Sequence, residues 1–409
     1  MKKLSWLLLP LLVGCNSSDS NNNLGVHQLE STNIDYGNSD LTEVVAATKG
    51  YDIVGLGEMS HSGSKAFSLR ARMIKAMHQE SNLDLVAVEA GLYDGLAAWQ
   101  NYLTKKQTLL DAVTGPDANY MYVHRLSLEM AALFDYVNDV DQLGSDPLIL
   151  TGYDARINSN PGCSVMFDEL AHYLSSNNLH VSDFESIKNL APKAMCSWLY
   201  QNDPYNNQDH TNLLPLLGEL QEVIAAQKQL ETIPPYNPNQ PRPFRQYASF
   251  WLQIAKSLKA HVQFIHHDFA YDITDAQSAE NLRWLKEEWF KTPGQIVVFA
   301  HNMHATPFYG SSVIDATHNK YPDVSTYSVL QLSYTGYLAA DTPDTSKWHP
   351  EKTAFKHPDD SLEHQLYSFG YPDSFIDLKS PIGNKLKDVP SGIDSILFIP
   401  VEEPAVPRW

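Results

Sequence analysis

The chain has 409 residues, 43% of them hydrophobic, enough for a large core in one domain or two smaller ones and too many for a disordered chain. Its formal charge of −19 argues against nucleic acid or anionic lipid head groups as partners. With only three cysteines, none in a C-x-x-C pair, a thiolate zinc site is not indicated.

The first residues, MKKLSWLLLPLLVGC, place two lysines before a short apolar run and then Leu12, Val13, Gly14 and Cys15. The run is too short to span a bilayer and has the layout of a secretory leader. Small residues before a cysteine resemble a bacterial lipobox, so the expectation is a leader over 1–14, cleaved to leave a lipidated Cys15. A small, polar tether follows over 15–32, and one folded domain over 33–409. Loss of Lys2 and Lys3 takes the formal charge to about −21. Asn16, standing where an aspartate would favour inner-membrane retention, points by the same resemblance to the outer membrane, facing the periplasm or the surface. In such an oxidising compartment Cys163 and Cys196 either pair or stay free, since sequence does not fix their separation.

Four apolar runs follow: YDIVGLGE to Glu58, LDLVAVEAG through Glu89, PLILTGYD to Asp154 and QIVVFAHN through His301. Their near-continuous hydrophobicity predicts strands buried on both faces. Helical patterns lie between them (AFSLRARMIKAMHQE, SLEMAALFDYVNDV, DAQSAENLRWLKEEWF), so the fold class is α/β, a central, mainly parallel sheet flanked by helices. In such sheets ligands gather beyond the carboxyl ends of the strands, where each of these runs places a chemically useful side chain. Residues 158–250 break the rhythm with helical stretches and the proline-rich TIPPYNPNQPRPF; they read as a helical insertion or lid over that edge.

Gly55 and Gly57 let the first strand's end turn and come close to another segment. Glu58 and His61 follow, and a carboxylate beside an imidazole raises its basicity and orients it as a general base. A Glu–His pair in a loop is more often simply solvated. In the next helix Phe67, Ala71, Ile74 and Met77 share one face, and Ser68, Arg72, Lys75 and Gln79 the other. Arg70 falls within the apolar face, where a guanidinium is costly unless a carboxylate answers it; Glu58 and Glu89 are the candidates. His301 and His304 at a strand end can bind metal, act as acid and base, or merely cap the sheet. Neither a G-x-S-x-G elbow nor an H-E-x-x-H helix is present, so chemistry would use activated water instead of a covalent nucleophile.

The strings GLGEMSHSGSKAFSLRARMIKAM, LDLVAVEAG and VVFAHNMHA together resemble the erythromycin esterase family. The resemblance implies an ester or lactone hydrolase with His61 as general base, His301 as acid or oxyanion stabiliser, Glu58 and Glu89 orienting water and histidine, Arg70 holding the carboxylates, and His304 in the same site. It implies substrate contacts by Asn302 and, on a weaker match in GYDAR, by Asp154. Macrolides are one implied substrate class. In DAQSAENLRWL, Thr274 precedes Asp275 where the family commonly has an Arg-Asp pair, and SFIDLKS resembles the family's final strand. No cofactor is required by this reading, although His61, His301, His304 and Glu89 are candidate ligands for a divalent metal. Two competing readings are a haem- or metal-binding surface lipoprotein of similar fold and a metal-dependent peptidase.

Overall fold

The computed structural model describes residues 23–104, 107–114, 127–142, 147–307, 310–340 and 349–407. The leader, Cys15 and the first part of the tether lie outside the described residues. Among the described residues nine strands form one sheet: β1 (Val26–Gln28), β2 (Ile53–Leu56), β3 (Leu83–Gly91), β4 (Ile149–Asp154), β5 (Gln295–Phe299), β6 (Thr326–Ala340), β7 (His349–Lys356), β8 (Ser374–Asp377) and β9 (Ser395–Glu402). Their order is β1-β8-β9-β6-β2-β5-β3-β4, with β7 added to β6. Every pair from β9 to β4 is parallel, whereas β1, β7 and β8 join antiparallel. The expected mixed α/β class is therefore observed.

The four apolar runs are β2, β5, β3 and β4, consecutive neighbours in the sheet. β2 and β5 are buried throughout, as strands covered on both faces must be. Because β5 enters late in the chain between β2 and β3, loops from distant sequence meet at one carboxyl edge. Four strands escaped the sequence reading: β6, β7, β9 and β1, the last of which lies within the expected tether and pairs with β8. β6 pairs with β2 on its other side, and β9 follows β8, so SFIDLKS supplies an antiparallel strand that is not the last.

The helix Ser64–Glu80 buries Phe67, Ala71, Ile74 and Met77 as its spacing predicts. On the opposite face Gln79 is exposed and Ser68 and Lys75 are half-buried, but Arg72 is not solvated. Arg72 is buried and paired with Asp40 at 2.7 Å, and donates to the Gly37 carbonyl at 2.9 Å, because the segment before β2 wraps across the helix. In the expected insertion the helix Asn207–Lys228 buries Leu213, Leu217, Leu220 and Ile224, spaced by four and three, in the main core. Cys163 and Cys196 are bridged, their Cα atoms 6.2 Å apart, tying two helices of this region together. The proline-rich stretch is irregular, as expected.

Both glycines of the first strand end are required by contact. A Cβ on Gly55 would lie 1.9 Å from the Ala305 carbonyl oxygen, and one on Gly57 would lie 2.1 Å from Asn302 Oδ1. The segment they approach is the one carrying His301 and His304. Gly57→Ala should therefore lose about 1–3 kcal/mol, the usual cost of overpacking, as a lower urea midpoint at unchanged slope; an unaltered midpoint would show that the two loops part freely.

Candidate active site

β2 ends at Leu56 and releases Glu58 into a loop that returns as the helix Ser64–Glu80. Glu58 is fully buried, and its Oε1 lies 2.6 Å from His61 Nδ1. Its Oε2 accepts from Arg70, which also donates to the Leu56 carbonyl at 2.9 Å and lies over the Phe299 ring at 3.4 Å. Of the two carboxylates expected for Arg70, Glu58 is the partner. The guanidinium offsets the cost of burying the charge, and the carboxylate fixes the His61 tautomer with its proton on Nδ1, leaving Nε2 as the basic nitrogen.

Glu89 takes a different set of partners. Its Oε2 accepts the His301 backbone N–H at 2.7 Å, and its Oε1 lies 3.1 Å from Arg156 Nη2 and 3.6 Å from His304 Nε2. Burial pushes this carboxyl up, but the charges of His304, His61 and Arg156 outweigh that and hold it well below the usual carboxylate range.

His301 opens the short helix Asn302–Ala305. Its Nδ1 accepts from the Met303 N–H at 3.2 Å, and its Nε2 faces the Met59 carbonyl at 2.9 Å, so the ring is neutral with its proton on Nε2. Burial, followed by the neighbouring His61, lowers its basicity further. In this arrangement both nitrogens serve backbone groups, which suits holding the Met59 loop and not the expected acid or oxyanion role. The His61 and His301 rings meet edge-on at 5.5 Å.

His304 Nδ1 lies 2.9 Å from Asp275. Burial disfavours its charge, but Glu89 and the Asp275 hydrogen bond more than compensate and raise its pKa. Burial pushes Asp275 up to about 6, against the hydrogen bond and charge of His304.

Two expected substrate contacts face elsewhere. Asn302 is buried, donating to the Gln331 carbonyl at 2.8 Å and accepting its N–H at 3.1 Å, so its amide pins the loop to β6. Asp154 is buried and engaged by Arg156 through Nε at 2.8 Å and Nη2 at 2.5 Å.

A cavity of about 360 Å³ is lined by His61, Glu89, His301 and His304, together with Met59, Ser60, Arg156, Tyr271 and Met303. None of these comes from residues 158–250, the region expected to cover this edge. Among the described residues no three His, Cys, Asp or Glu side chains are grouped to hold a metal, so the four candidate ligands share a cavity without converging. Arg156 escaped the sequence reading although it stands two residues after Asp154. Asp275 was noted, but its bond to His304 was not foreseen. Glu402 was invisible as well: its carboxylate accepts the Lys65 N–H at 2.9 Å and so caps a helix whose N-cap residue, Gly63, has no side chain to do it.

An imidazole backed by a buried carboxylate at the carboxyl edge of a parallel sheet defines an α/β protein equipped for proton transfer. A family model for erythromycin esterase matches residues 78–399, and the chain belongs to that family. The match begins beyond Glu58, His61 and Arg70, which rest here on geometry. A Bacillus subtilis (strain 168) protein named "Putative hydrolase YbfO" is 24% identical over 374 residues, covering 83% of this chain and 77% of its own. A Bacillus cereus protein of known structure superposes with a TM-score of 0.71 at 16% identity, covering 96% of this chain and 98% of its own. A mutant of the erythromycin esterase EreC, in its open conformation, does so with a TM-score of 0.62 at 13% identity, covering 90% and 95%. Family and relatives point to a hydrolase.

The low pKa of Glu89 has a defined pH signature. The folded state binds fewer protons than the unfolded one, so the stabilisation is complete above the unfolded value of 4.5 and is lost as the pH falls below it. Glu89→Gln should cost about 3 kcal/mol at pH 7, the low end for removing one partner of a buried pair, and the gap to wild type should close in acid. Urea titrations at several pH values would measure it; a gap independent of pH would refute the ionised network.

Proposed function

We propose that the protein is a carboxylic ester or lactone hydrolase in which His61 activates water. The contact that carries this reading is the 2.6 Å approach of His61 Nδ1 to Glu58, itself held by Arg70. His61 Nε2 takes a proton from water as the oxygen adds to the acyl carbon, then returns it to the departing alkoxide. Glu89, with its charge retained, orients the attacking water and His304. No cofactor is required, and no acyl-enzyme forms. Macrolides are the substrate class suggested by the name of the esterase EreC.

Release of acid from a panel of aryl esters, lactones and erythromycin tests this. Wild type should turn over at least one of them, and a folded His61→Ala variant should be slower by about 10²–10⁴-fold. Turnover that survives the loss of His61 would sink the assignment, and the rank of erythromycin in the panel decides the macrolide reading.

We also propose that the protein is exported and anchored through a lipid on Cys15, which places the chemistry outside the inner membrane. The Cys163–Cys196 bridge supports this, since such bonds persist in oxidising compartments. Cells fed radiolabelled palmitate should label the wild-type protein in the membrane fraction and leave Cys15→Ala unlabelled; label retained by that variant would refute the anchor.

A further inference from the structure

The cavity contains four side chains able to carry positive charge, and three are committed. His61 is the base, His301 has both nitrogens on backbone groups, and His304 lies between Asp275 and Glu89. The fourth is Arg156. Asp154 and Glu89 engage its Nε and Nη2, whereas Nη1 has no hydrogen-bond partner among the described residues. The side chain lines the cavity beside Tyr271, whose ring lies 5.5 Å from the guanidinium carbon.

The backbone that presents Arg156 is fixed by side chains on both sides of it. Three successive N–H groups are each answered by a side chain: Ala155 by Ser278 Oγ at 2.9 Å, Arg156 by Asp154 Oδ1 at 2.8 Å, and Ile157 by His261 Nδ1 at 3.1 Å. His261 is buried and its basicity is lowered to about 4, so Nδ1 is available as an acceptor at neutral pH. An arginine serving only to neutralise Asp154 and Glu89 would need neither this scaffold nor a place in the cavity wall.

We propose that Arg156 is a catalytic residue whose Nη1 donors bind the carbonyl oxygen of the scissile acyl group and hold the oxyanion formed when water adds. The assignment rests on the hydrolase reading above. Water forms the new C–O bond and gives its proton to His61 Nε2, while the carbonyl π electrons move onto the oxygen facing Arg156. Collapse of that oxyanion breaks the bond to the alkoxide, which leaves with the proton from His61. Arg156 exchanges no proton; it supplies a fixed charge where negative charge develops.

The test compares wild type, Arg156→Ala, Arg156→Lys and His61→Ala on an aryl ester, and measures binding of an alkyl phosphonate monoester, a stable tetrahedral anion. Arg156→Ala should lose about 10²–10³-fold in kcat with little change in KM, and should bind the phosphonate correspondingly less well. Added guanidinium should restore part of its rate and none of that of His61→Ala. Arg156→Lys, which keeps the charge beside Asp154 and Glu89, guards against a folding defect and should retain more activity than the alanine variant. Unchanged kcat and phosphonate binding in folded Arg156→Ala, with His61→Ala inactive, would overturn the role of Arg156 and leave the hydrolase standing. A wild type that neither hydrolyses esters nor binds the phosphonate would overturn both.

Discussion

The site depends on one buried carboxylate shared by two partners. Glu58 is answered by Arg70 on one oxygen and by His61 on the other. Burying such a pair gains little net stability, because desolvation consumes most of the Coulomb attraction, whereas removing one partner commonly costs about 3–5 kcal/mol. The pair is therefore better understood as a device for orientation. Arg70 reaches back from its helix to the Leu56 carbonyl, so helix, strand end and the loop carrying His61 are fixed relative to one another through a single guanidinium.

Glu89 does the corresponding work across the sheet. Residing at the end of β3, it binds the His301 N–H beyond β5, Arg156 beyond β4 and the His304 ring. The two carboxylates meet through the neutral His301, which bonds Met59 from the Glu58 loop while its own N–H is held by Glu89. A displacement in any of these loops would thus be felt at His61. The glycine contacts enforce the same spacing sterically, since a Cβ at position 57 would occupy the place of the Asn302 amide.

Much of this was legible in the sequence because it is local or periodic. Four apolar runs predicted four adjacent buried strands, Arg70 was out of place on its helix face, and two glycines announced a close approach. What was missed depends on pairing between distant segments. Arg72 was placed only on the face opposite the apolar one, and its burial went unforeseen because its partner, Asp40, lies 32 residues earlier and the wrapping of that segment leaves no periodic trace. Asn302 was expected as a substrate contact from the family resemblance, which does not show that its amide pairs with β6. Strand β6 went unread for a related reason: polar Ser328, Gln331 and Ser333 interrupt its apolar run, yet all three are buried and satisfied.

The cavity brings the titratable side chains and the apolar ones that would touch a substrate to the same strand ends. Its walls come from the ends of β2, β3, β4 and β5 and from Tyr271, all elements of the sheet or of the helix beside it. The region at 158–250 contributes none of them and instead sinks an apolar helix face into the main core, cross-linked by the Cys163–Cys196 bridge. Such packing belongs to the rigid body of the protein and is poorly suited to a cover that swings freely, since exposing four fully buried aliphatic side chains would cost on the order of 6 kcal/mol or more. Selectivity in the proposed reaction then falls to Met59, Met303 and Tyr271, which line the same cavity without competing for the protons handled by His61.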